Sequence, residues 1–163
     1  MQIALRFLAF VCVAMVVSGC TKESAEELFT RGEAAAHKES TYPVAEKDLA
    51  AFLAGYPKDP RADTALHILA RVQLSQGKYE LAVTRYDELV TRFPKSRYAD
   101  QAQFMVGFTL DQQGKLDEAR TAYQKVIDFY PSSDLADDAR VSIANLGKPP
   151  EAWFPPESAS PGD

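Results

Sequence analysis

Apolar side chains recur at three- and four-residue intervals through most of this chain, with polar ones filling the gaps. Ala65, Leu66, Leu69 and Val72 make one such face, and Tyr79, Ala82, Val83, Tyr86, Leu89, Val90 and Phe93 make the next. That spacing lines one side of an α-helix, and no segment alternates with the period of two that a half-buried strand needs. Between the two faces, Gln76-Gly77-Lys78 supplies a glycine for the left-handed residue that ends a helix. Pro94 stops the second helix, because proline cannot continue it and restricts the residue before it. Ser96 is placed to cap the following helix, as is Asp59 one unit earlier, with Pro60 at the favoured first helical position. Asp63, Asp100 and Asp137 fall near the positive ends of helix dipoles. The pattern predicts helices near 23–38, 43–55, 60–76, 79–93, 97–113, 116–130 and 134–146.

These helices come in copies. Tyr56-Pro57, Phe93-Pro94 and Tyr130-Pro131 lie at a constant interval of 37, as do Asp59, Ser96 and Ser133. Ala62-Asp63, Ala99-Asp100 and Ala136-Asp137 keep the same interval, and so do Ala45, Ala82 and Ala119. A self-repeat of this length marks stacked copies of one supersecondary unit. The first pair is a degraded copy: Tyr42, Ala45, Leu49, Phe52, Tyr56 and Pro57 hold register, but Ser40 replaces the turn glycine. The expected architecture is an all-α solenoid of about three helix–turn–helix repeats plus a closing helix. Such an array encloses no pocket by default and offers a long concave face, which points to binding.

The chain ends carry different signals. Arg6 is the only charge before an apolar run from Phe7 to Val17, a secretory leader too short for a stop-transfer helix. Val17-Ser18-Gly19-Cys20 then resembles the lipobox of bacterial lipoproteins, whose Cys becomes the acylated first residue. An ordinary leader with a chance Cys, or a short anchor, is the alternative. The expected divisions are a leader over 1–19, a repeat domain over 20–147 and a Pro-rich tail over 148–163. In the tail, Trp153 and Phe154 are expected to fold back over the last helix rather than to serve as a free recognition peptide.

Charge narrows the partners. The loss of Arg6 with the leader takes the formal charge from −5 to −6. An acidic domain argues against nucleic acid and against a polybasic membrane contact. Of the two cysteines, Cys12 leaves with the leader and Cys20 is used for lipid, so the domain is expected to fold without a disulfide.

Leu66, Leu69, Ala70, Gly77, Tyr79, Ala82, Tyr86 and Pro94 occupy the signature positions of the tetratricopeptide repeat, as do Val106, Gly107, Gly114, Ala119, Tyr123 and Pro131. The chain therefore resembles that family, in a form three residues longer than its 34-residue unit. The longer form, with Phe-Pro-Lys-Ser-Arg-Tyr-Ala, is similar to the BamD family of outer-membrane β-barrel assembly lipoproteins. It is equally similar to the repeats of the YbgF/CpoB family of the Tol-Pal system. Thr21 stands where Asp would direct inner-membrane retention in lipoproteins of this type, which implies the outer membrane.

The resemblance also implies which residues line the groove. They are Thr64, His67, Arg71 and Leu74 in one repeat and Gln101, Phe104, Phe108 and Asp111 in the next. Phe104 and Phe108 lie one turn apart, either as anchors for a partner or as part of a thin core. His67 and Arg71 would suit a carboxylate, or else form a solvated polar face.

No H-E-x-x-H, phosphate-binding glycine loop or nucleophile elbow is present, and His37 and His67 sit on different helices. The expected function is non-enzymatic: a lipid-anchored adaptor facing the periplasm from the outer membrane, serving outer-membrane protein assembly. It would bind envelope proteins or peptide segments in the groove and need no cofactor or metal beyond the lipid on Cys20. The alternatives are Tol-Pal-type envelope coordination, or a structural lipoprotein holding peptidoglycan or secretion-apparatus subunits.

Overall fold

A computed structural model describes residues 23–148. Cys20, Trp153 and Phe154 lie outside the described residues. Seven α-helices follow in order: α1 (Ala25–Ala35), α2 (Tyr42–Gly55), α3 (Ala62–Ser75), α4 (Tyr79–Arg92), α5 (Ala99–Gln112), α6 (Leu116–Phe129) and α7 (Leu135–Asn145). There is no strand among the described residues. Each helix packs on the next, α1 also touches α3, and α5 touches α7. The chain is thus an all-α solenoid of three antiparallel pairs closed by α7.

Equivalent positions build one continuous core. Ala45, Ala82 and Ala119 are wholly buried. Leu49, Tyr86 and Tyr123 share the next register place, and Phe52, Leu89 and Val126 the one after; all are buried. Small residues let the paired helices approach. A Cβ on Gly107 would stand 2.7 Å from the Tyr123 ring, so a side chain there displaces a buried aromatic.

The turn glycines act as expected. Gly77 and Gly114 take φ of +70° and +72°. The Lys78 N–H reaches the Gln73 carbonyl and the Gly77 N–H the Leu74 carbonyl, both at 2.9 Å, which satisfies carbonyls that a bare helix end would orphan. Ser40 cannot take that conformation cheaply, and the first pair turns differently. α1 stops at Ala35, short of the predicted 38; Lys38 is extended and a 3-10 turn covers Glu39–Thr41. The Thr41 hydroxyl lies 2.6 Å from the Ala35 carbonyl and serves the open helix end.

Two capping expectations need correction. α3 begins at Ala62 and α5 at Ala99, so Pro60 precedes the helix and neither Asp59 nor Ser96 is its cap residue. Ser96 Oγ accepts from the Tyr98 N–H at 3.2 Å and donates to Asp63 Oδ2, one repeat back, at 2.6 Å. Ser133 does the same with the Leu135 N–H and Asp100. Serine and aspartate, read separately as a cap and a dipole partner, are a staple between repeats. At the first junction both places are acidic, Glu26 and Asp59, and two carboxylates cannot bond each other. Arg61 bridges them, donating to both, with its guanidinium 4.7 Å over the Phe29 ring. α1 starts with a capping box of Ser24 and Glu27, a spacing legible in sequence but not foreseen above.

Candidate binding face

Because α1 meets α3 and α5 meets α7 behind the outer helices, the first helices of the pairs form the inner layer. Along α3, Thr64, His67 and Arg71 come together with Glu33 of α1, with His37 in the turn after it, and with Arg97 and Tyr98 before α5. They line a pocket of about 210 Å³. That is smaller than the few hundred Å³ of a typical small-molecule site and suits one or two side chains of a partner. His37 holds the register place of Leu74 and Asp111 in the first repeat, a lining residue that the sequence reading missed.

His67 is not on a solvated face. It is only 6% exposed, and its ring stacks on Tyr98 at 4.4 Å with an interplanar angle of 10°. Its Nδ1 has no hydrogen-bond partner among the described residues. The depth comes from Tyr98, which the junction loop folds across the α3 surface, and helical spacing alone does not reveal such a lid. Arg71 stays exposed at the rim, as does Arg97.

Burial, then the Arg71 and Arg97 charges, lower the His67 pKa from its usual value to about 4, against a small opposing effect of Asp63. The folded chain therefore keeps this imidazole neutral while the unfolded chain protonates it near pH 6.5. Above that pH both states are neutral and nothing changes. As pH falls from 6.5 toward 4 the unfolded state gains a proton that the folded state refuses, so stability falls, by up to ~3 kcal/mol. Melting temperature followed from pH 7 to pH 4 should drop more steeply in the native chain than in His67→Phe, the residue that the next repeat carries there.

In that next repeat the groove positions separate. Phe104 is half-buried, its ring 5.1 Å from Tyr123, so it contributes to helix pairing. Phe108 is 38% exposed, and Gln101 is exposed with it. Asp111 is half-buried, and burial raises its pKa. Val141 on α7, in register with His67 and Phe104, is also exposed. The inner face thus runs from a cationic pocket at α1–α3 to an apolar surface at α5–α7. Among the described residues no group of three His, Cys, Asp or Glu is gathered to ligate a metal.

The profile of a family described as outer membrane lipoprotein (YfiO) matches residues 21–148. The chain belongs to that family. The match spans all seven described helices of the lipoprotein and begins one residue after Cys20. It assigns the lipoprotein to the cell envelope. No curated protein matches the chain.

Proposed function

We propose that this lipoprotein is a non-enzymatic adaptor, held to the outer membrane by acyl chains on Cys20 and facing the periplasm. Its inner face takes segments of other envelope proteins, in the service of outer-membrane protein assembly. The observation that carries the reading is the exposed Phe108 and Val141 surface beside an open cationic pocket, on a chain whose repeats match an outer membrane lipoprotein family throughout. Exposed aromatics on a rigid concave surface are the usual anchors of a protein partner.

Phe108→Ala and Phe104→Ala test it together. The first should cost about 1 kcal/mol of stability, since more than a third of the residue is exposed, yet weaken partner capture by the ~2 kcal/mol of a hot spot. The second should cost about 2–3 kcal/mol of stability, below the range of a fully buried Phe. Thermal melts and co-purification from membranes, run on both variants, read the two effects apart. Full capture by a stable Phe108→Ala would remove this residue from the binding face.

A further inference from the structure

The inter-repeat loops gather on one edge of the solenoid, and the N-terminus leaves from the same edge. Tyr56, in the first loop, donates to the Glu23 carbonyl at 2.7 Å, and Arg61 reaches Glu26 at the start of α1. Loop residues Lys58, Pro94 and Lys95 line one surface groove, which continues past Arg97 to Phe129 and Pro131 in the next. Only two residues lie between Glu23 and Cys20, a span of at most about 10 Å of extended chain. An anchor at Cys20 therefore holds this edge, and not the Gly77 and Gly114 turns at the opposite one, next to the bilayer.

The chemistry of the edge suits that position, although the chain as a whole is acidic. Lys58, Lys95 and Arg97 are exposed, and the two lysines form no ion pair among the described residues. Of the nearby carboxylates, Asp59 is held by Arg61, Asp63 by Ser96 and Asp100 by Ser133, while the exposed Glu23 and Glu26 pair with Arg31 and Arg61. Around the last loop Asp128, Asp134, Asp137 and Asp138 are exposed acids, Asp137 paired with Arg140. There Phe129 stands 71% exposed, at the register place where Arg92 covers the preceding loop by donating to the Pro57 carbonyl. Cations flanking an exposed aromatic are the composition of an interfacial contact.

We propose that the loop edge lies on the membrane, with Lys58, Lys95 and Arg97 meeting anionic phospholipid headgroups and Phe129 entering the headgroup boundary. The inner face is then turned sideways into the periplasm rather than down onto lipid. This rests on acylation of Cys20. Each basic side chain near an anionic surface adds about fivefold to partitioning, and the tether keeps so weak a contact engaged.

The test uses the acylated chain, purified from membranes, with a fluorophore at Ser132→Cys on the loop edge or at Gln112→Cys on the opposite edge. Each is reconstituted in phosphatidylcholine vesicles with or without phosphatidylglycerol, with a headgroup nitroxide lipid as quencher. Quenching should be several-fold stronger at position 132 than at 112 with phosphatidylglycerol. That contrast should shrink without it, and in a Lys58→Glu/Lys95→Glu/Arg97→Glu variant of unchanged helicity. Equal quenching at both edges, or a contrast indifferent to lipid charge and to the three substitutions, would overturn the proposal. Failure of the chain to float with vesicles would overturn the anchor as well, so the two readings fail by different signatures.

Discussion

Ala82→Glu and Ala119→Glu should each abolish cooperative folding. Both side chains are wholly buried, each at the same place in its own repeat, where the second helix of a pair packs closely into the stack. A glutamate there brings four more heavy atoms beyond Cβ than the contact can admit, and a charge with no partner inside. Overpacking costs about 1–3 kcal/mol, and an unpaired buried carboxylate adds several more unless it takes a proton. The total, at least about 4–5 kcal/mol, rivals the whole stability of a domain of this size. Circular dichroism melts should show loss of the transition in both variants. A chain that kept its melting temperature with either glutamate would contradict the pairing of α3 with α4 or of α5 with α6.

Cys20→Ser should move the lipoprotein wholly from the membrane to the soluble fraction, or leave its leader uncleaved. Each buried methylene of an acyl chain contributes about 0.8 kcal/mol to membrane affinity, so losing the chains removes far more than a few loop cations can replace. No described helix is long and apolar enough to cross a membrane and hold the chain in their stead. Fractionation with mass measurement of the mature chain reads the result. A Cys20→Ser protein that stays with membranes after salt washing, at the native mass, would sink the acylation reading.

Much of the fold was legible because the repeat states each element three times. The glycines at 77 and 114 and the prolines at 57, 94 and 131 locate the ends of most helices to within a residue or two, since each acts on the local backbone. α1 ran short of expectation because its turn lacks the glycine, and a serine and a threonine hydroxyl do not announce where the substitute turn begins. The Ser96–Asp63 and Ser133–Asp100 bonds escaped notice for a different reason. Each residue has a sufficient local explanation, and the bond appears only when the two are placed on adjoining repeats. Arg61 likewise reads as an ordinary surface cation until Glu26 and Asp59 are seen to face each other across the junction.

The binding face was harder to read, because helical register gives direction and not depth. His67, Phe104 and Val141 hold one register place, yet they are buried, half-buried and exposed in turn. Tyr98 covers the first and Tyr123 packs against the second, while among the described residues no pair follows α7 to bury the third. The pocket needs α1, α3 and the loop before α5 at once, so His37 and Arg97 could not be assigned from their own segments.

The most direct test of the adaptor reading is crosslinking in living membranes from a photoreactive benzophenone side chain at position 108. Position 81 on α4, an exposed leucine of an outer-layer helix, serves as the reference. The account predicts adducts with a defined envelope protein from position 108, lost when Arg71→Glu and Val141→Glu alter the inner face, and no such adduct from position 81. Adducts from position 81 with none from position 108 would contradict it.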